Sequence, residues 1–257
     1  MLVDRNSVRN AFASYVSNYD PSNPRIALKI AHTHRVANLC DHVAPKDKDL
    51  AWLCGMLHDI GRFEQVRVYN TFNDAASVPH AALGVDVLFG NADPNGPQIR
   101  MFVADTSEDK LIRTVIATHS DYRLPLHIDE RTRMHCNVLR DADKIDIIKV
   151  NRICPLQDIY GVSEEDMSNS DLSDEVEQIF YEHRTIPRGV RRHPADVLVG
   201  HICFAWELVH PQSVSILMEQ GYLDQMLNMK FANKATDQRF RRMASHMRKE
   251  LACSAKQ

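Results

Sequence analysis

The residues best equipped for chemistry sit in one short run, Met56-Leu57-His58-Asp59-Ile60-Gly61-Arg62. An apolar stretch with Leu50, Trp52, Leu53, Met56 and Leu57 leads into it at helical spacing. Gly61 reads as the residue that closes this helix, because glycine takes the left-handed conformation at little steric cost. The helix would then deliver an imidazole and a carboxylate side by side at its last turn. Neighbours on a helix point about 100° apart, so His58 and Asp59 reach one ion only if it lies beside or beyond the helix end. Four more residues of ligand type occur in apolar, helix-like phrases. They are His34 in Lys29-Ile30-Ala31-His32-Thr33-His34-Arg35-Val36, His80 in His80-Ala81-Ala82-Leu83-Gly84, His119 in Ile116-Ala117-Thr118-His119, and Asp143 in Asp141-Ala142-Asp143-Lys144-Ile145-Asp146.

Taken together and in this order, these phrases resemble the HD-domain superfamily of metal-dependent phosphohydrolases, whose signature runs His … His-Asp … Asp. The resemblance covers residues 24 to 150 and implies that His34, His58, Asp59 and Asp143 hold a first metal ion. His80 and His119 match the two extra histidines of the members that hold two ions, with Asp59 bridging. His32 and His42 share a helix with His34, and neither falls at the family position. They read as surface or internally bonded histidines.

Four imidazoles and two carboxylates form a mixed nitrogen and oxygen set. It suits Mn, Fe, Co, Ni or Zn, one or two ions, better than calcium, which takes oxygen alone. Such ions activate water, and no protein nucleophile is then required. Arginine offers phosphate a fork of N–H donors and keeps its charge. Arg62, three residues after Asp59, is therefore the first choice for a catalytic and substrate-binding cation, with Arg123 and Lys144 as further substrate contacts. Arg140 reads as helix surface. The implied activity is hydrolysis of a nucleotide or another small phosphate ester. An HD-type di-iron oxygenase would use the same ligands, and a metal-binding regulatory protein without activity is the third reading.

The remaining sequence is ordinary in composition. The 257 residues are 44% hydrophobic and 25% charged, which suits a globular chain with a buried core. A net charge of -3 gives no reason to expect DNA, RNA or a membrane as partner. The six cysteines form no CxxC pair and read as reduced thiols, so a soluble cytoplasmic protein is expected.

The elements that must position these residues read as helices throughout, and strand-like alternation is nearly absent. Helices are expected over 4–19, 25–43, a stretch ending at His58-Asp59, one carrying His80, 108–119 and 129–153, then over 196–208, 214–218 and 240–251. Residues 63–78 are either a connector or a loop that shapes substrate access. Residues 90–97 form the clearest loop, and 163–176 an acidic one leading into a helix near 176–181. The basic run Arg184, Arg188, Arg191, Arg192 either folds over the site or is a solvated loop. The fold class is all-α, a multi-helix HD-domain bundle with a helical C-terminal extension. Its parts are an N-terminal helix (1–23), the metal-binding core (24–150) and the extension (151–257).

Overall fold

A computed structural model describes residues 3–90 and 97–254 of the chain. Every regular element among them is a helix, so the protein is all-α. The expected loop at 90–97 lies almost wholly outside the described residues. None of the described helices is long and apolar enough to cross a membrane. All six cysteines are free thiols. The chain divides into two compact units, Met1–Ala142 and Asp143–Gln257.

The first unit contains α1 (Arg5–Val16), α2 (Pro24–Val43), α3 (Lys48–Leu57), α4 (Ile60–Tyr69), α5 (His80–Phe89) and α6 (Asp109–Thr118), and the unit boundary falls inside α7 (Glu130–Ile153). Local chemistry sets the helix starts. Asp4 caps α1 by accepting from the backbone N–H groups of Asn6 and Ser7, and Asn23 caps α2 just before Pro24. The apolar face of α1 buries Val8, Phe12 and Tyr15, and Phe12 and Tyr15 meet the edge of Phe63 on α4.

Two glycines set how closely the helices around the His-Asp pair approach. A Cβ on Gly55 of α3 would lie 2.6 Å from Ala37 Cα of α2, so these helices touch backbone to backbone. A Cβ on Gly61 would lie 2.4 Å from both Gly84 N and His80 O of α5. Gly61 therefore does not close α3 in a left-handed conformation, as its position in the sequence suggests. Helix α3 ends at Leu57, His58 keeps helical dihedrals, Asp59 turns the chain, and Gly61 lies in the first turn of α4. Its need for glycine comes from the passing backbone of α5.

The second unit contains α8 (Leu156–Tyr160), α9 (Glu164–Ser168), α10 (Asp174–Tyr181), α11 (Pro194–Ile202), α12 (Pro211–Gln220), α13 (Tyr222–Leu227) and α14 (Lys234–Ser254). The acidic stretch expected as a loop holds α9, started by a Ser163–Asp166 capping box. The fully buried Asp196 accepts from the hydroxyl and backbone N–H of Ser173 and from the backbone N–H groups of Arg192 and His193. It thereby ties the start of α10 to the start of α11.

Arg191 of the basic run is held within the second unit rather than solvated. Its guanidinium lies on Gly200, where a Cβ would come within 2.6 Å of Cζ, and it donates from Nε and Nη2 to the Ile186 carbonyl. The same neighbourhood makes the second unit sensitive to acid. Burial first, then the charges of Arg191 and Arg188, lower the His201 pKa to about 3. Its Nδ1 lies 3.4 Å from the Tyr160 hydroxyl, and its ring meets Phe204. The unfolded chain would bind this proton near the ordinary value of about 6.5. His201 is therefore neutral in both states above that pH, and between about 6.5 and 3 only the unfolded state gains the proton. Stability of the second unit should fall as pH drops through this window, and His201→Gln should flatten that slope in a series of melting curves.

Candidate metal centre

Each candidate ligand occupies a place that its helix makes rigid. His32 lies on the buried face of α2, one turn before Val36 and two before Cys40. His58 and Asp59 form the α3–α4 turn, His80 opens α5, and His119 caps the end of α6. Asp59, His32, His58, His80 and His119 are all at most 4% exposed. The two oxygens of Asp59 face different partners. Oδ2 lies 3.4 Å from His58 Nε2 and 3.5 Å from His32 Nε2. Oδ1 lies 3.6 Å from His80 Nε2 and 3.7 Å from His119 Nε2. Two groups of ligand type result, His32 with His58 and Asp143, and Asp59 with His80 and His119, each with its ligand atoms within 4.8 Å of one another.

The hydrogen bonds on the far side of the rings decide what these nitrogens can do. His58 Nδ1 lies 2.8 Å from the Gly55 carbonyl, His119 Nδ1 2.7 Å from the Ile116 carbonyl, and His80 Nδ1 2.7 Å from Asp74 Oδ2. A carbonyl or carboxylate only accepts, so each Nδ1 carries the proton and each Nε2 presents a lone pair. Burial lowers the His80 pKa to about 4 against the opposing pull of Asp74, so this ring is neutral at ordinary pH. The Nε2 atoms of His80 and His119 are then 3.0 Å apart with no proton between them. His58 and His32 Nε2 approach to 3.3 Å. Converging lone pairs beside a carboxylate repel one another and suit a cation. With imidazole and carboxylate donors and no cysteine in either group, these residues fit a divalent transition metal.

Residues 30–150 match the family model of the HD domain. These residues are an HD domain. The family belongs to a superfamily of metal-dependent hydrolases, and its buried His and Asp groups could hold metal ions here. No curated protein and no solved structure matches the chain.

Within this HD domain the structure brings together His58, Asp59, His80, His119 and Asp143, but not His34. The residue beside His58 is His32, two positions earlier. Two residues on a helix lie about 200° apart, so the two histidines cannot serve the same face. His34 is half-buried and packs edge-on against Phe12 of α1, with ring centroids 5.4 Å apart. The one-turn spacing of His32 from the buried Val36 is the sequence signal that separates them.

Two residues at the centre escaped the sequence reading. Lys29, one turn before His32, puts Nζ 2.5 Å from Asp59 Oδ2. Burial works against the charge of Asp59, but the ammonium of Lys29 outweighs it and holds the carboxyl well below the usual range. Asp74 lies in the stretch 63–78, in a short 3₁₀ turn, and joins His80 to Arg62. Burial again opposes ionisation, and the His80 bond and the Arg62 charge keep Asp74 ionised. Carboxylate partners of ligating histidines are worth roughly 10–100-fold in metal affinity. Asp74→Asn should therefore weaken the site of His80 and His119 by about that factor, measured by competition with a chelator.

The cations singled out in the sequence are placed as follows. Arg62 donates from Nη1 to Gln65, to the Phe72 carbonyl and to Asp74, and its Nε lies 3.7 Å from Asp59 Oδ1. Arg140 is more than helix surface. Its Nη1 donates to the carbonyls of Thr118 and His119 and so holds the end of α6 that carries His119. Arg123 is exposed between α6 and α7, beside the Tyr122 ring. Lys144 lies 3.2 Å from Glu207.

Proposed function

We propose that the HD domain hydrolyses the phosphate ester of a nucleotide or another small metabolite with two divalent ions, which His32, His58, Asp59, His80, His119 and Asp143 would hold. The observation that carries this reading is the division of labour in Asp59, with one oxygen toward His32 and His58 and the other toward His80 and His119. Asp143 completes the first set. Mn, Fe, Co, Ni and Zn all accept these donors. When bound, such ions supply Lewis acidity and lower the pKa of water, so that the attacking group needs no protein nucleophile.

The chain's own residues do the rest. Gly55, Ile116 and Asp74 keep three imidazoles in the tautomer that leaves Nε2 free. Lys29 balances the charge of Asp59 and keeps it an anion inside the fold. Arg62, braced by Asp74 and Gln65, and the exposed Arg123 are the substrate-facing cations. The ammonium of Lys144 pairs with Glu207 of the same unit.

Turnover of a panel of phosphate esters in ¹⁸O-water tests the reaction. One label in the phosphoryl product is expected, and Arg62→Ala should slow charged esters while metal content stays intact. Label in the alcohol fragment, or product that forms only with iron and O₂, would overturn the hydrolase and favour an oxygenase built on the same ligands.

A further inference from the structure

The stretch 63–78 puts an aromatic ring beside the HD-domain centre. Phe72 is partly exposed, and two cations lie over its ring. Lys29 Nζ is 5.3 Å from the ring centroid and Arg62 Cζ 5.6 Å. Both fall inside the roughly 6 Å reach of a cation–π contact. The same two cations flank Asp59. Lys29 Nζ lies 2.5 Å from Oδ2, the oxygen toward His32 and His58. Arg62 Nε lies 3.7 Å from Oδ1, the oxygen toward His80 and His119. Each half of the centre thus has its own cation, and one ring serves both.

Arg62 is held in a way that leaves one edge of its guanidinium uncommitted. Its hydrogen bonds to Gln65, to the Phe72 carbonyl and to Asp74 all leave from Nη1. Nε is buried without a hydrogen-bond partner, and 3.7 Å to Asp59 Oδ1 is too long for one. The planar fork of Nε and Nη2 is an edge that can grip two phosphoryl oxygens at once. Phe72 fastens Arg62 twice, by its carbonyl and by its ring, and leaves that edge free. The Asp59 side chain is 3% exposed, that of Arg62 12% and that of Lys29 15%, so both cations lie closer to solvent than the carboxylate they flank.

We propose that Phe72 braces Lys29 and Arg62 as a two-cation receptor for the terminal phosphoryl group of a phosphate monoester. The proposal deepens the hydrolase reading above and rests on it for the reaction. At neutral pH a monoester carries about two negative charges on its phosphoryl group and a diester about one. Cations at both oxygens of Asp59 favour the more highly charged group. An aromatic ring can hold two cations without neutralising them, whereas a carboxylate in its place would take up both their charge and their N–H donors. Phe72 is thus a positioning residue that acts through Lys29 and Arg62.

Calorimetric titration of the metal-loaded chain with inorganic phosphate and with dimethyl phosphate tests the receptor apart from turnover. Inorganic phosphate is expected to bind at least about tenfold tighter. Phe72→Leu should weaken phosphate about tenfold and dimethyl phosphate much less, and Phe72→Tyr, which keeps the ring, should stay near the wild type. Metal content and circular dichroism should be unchanged in both variants. The side-chain ¹H–¹⁵N signals of Arg62 report the contact without any phosphate, because the ring current displaces them. That displacement should vanish in Phe72→Leu and persist in Phe72→Tyr. Equal phosphate affinity in wild type and Phe72→Leu, equal losses in both variants, or metal loss in Phe72→Leu would overturn the role of the ring. A wild type that binds no phosphate, or prefers it no more than dimethyl phosphate, would overturn the receptor. Phosphate binding with the expected variant effects but no ester turnover would instead sink the hydrolase reading and leave the receptor standing.

Discussion

Asp59→Ala is expected to abolish turnover and metal content together. One carboxylate faces all four histidines, so its removal takes a ligand from each half of the centre at once. Lewis-acid stabilisation of several kcal/mol would be lost, which corresponds to at least about 10³-fold in rate. The fold should also weaken. The Asp59 side chain is 3% exposed and that of Lys29 15%, and deleting one partner strands the other charge, at a cost of about 3–5 kcal/mol. Lys29→Met with Asp59→Ala should recover much of that stability and none of the activity. Metal analysis, kinetics and melting curves on both variants check this. A single variant with full metal content would show that Asp59 is not a ligand.

Gly61→Ala should be among the most damaging changes outside the ligands. The added methyl would sit 2.4 Å from backbone atoms of α5, and backbone yields much less readily than a side chain. Forced overpacking costs roughly 1–3 kcal/mol, and the upper end applies where two helices must separate. For a unit of this size, 3 kcal/mol lowers Tm by roughly 10 °C. The helix pushed aside begins at His80, so metal affinity should fall with stability. Gly84→Ala faces the same contact from the other side, but its Cβ would meet neighbours only at 3.4–3.6 Å, ordinary packing. It should be tolerated, and the contrast separates steric conflict at Gly61 from a general preference for glycine.

The periodic parts of the sequence were the legible ones. The apolar spacings at Val8, Phe12 and Tyr15, and at Leu111, Ile112, Val115 and Ile116, each announce a helix whose buried face they form. Helix α13 is six residues long, too short for periodicity to reveal. At the centre the structure groups His58, Asp59, His80, His119 and Asp143 with His32, where the resemblance implied His34. Resemblance alone offers two histidines two residues apart, and only the buried face of α2 chooses between them. Asp74 and Lys29 left no trace for a different reason. A polar residue in a non-periodic stretch and a lysine on a helix are ordinary surface features until tertiary contacts place them. Gly61 was visible as a constraint, but its cause is a neighbour 19 residues or more further on, and no local rule reaches that far.

The four buried histidines around Asp59 come from positions 32 to 119, on separate helices and their ends. Closing chain segments of that length is an entropic cost met before the last ligand arrives, so the full coordination set exists only once the first unit has largely formed. Ions would bind late, after the folding barrier is crossed. Interactions absent from the transition state slow escape from the native state and leave its formation rate alone. A metal at this centre thus governs how long the fold lasts rather than how fast it is reached. Removing the metal would shorten the native lifetime without making the chain a slower folder.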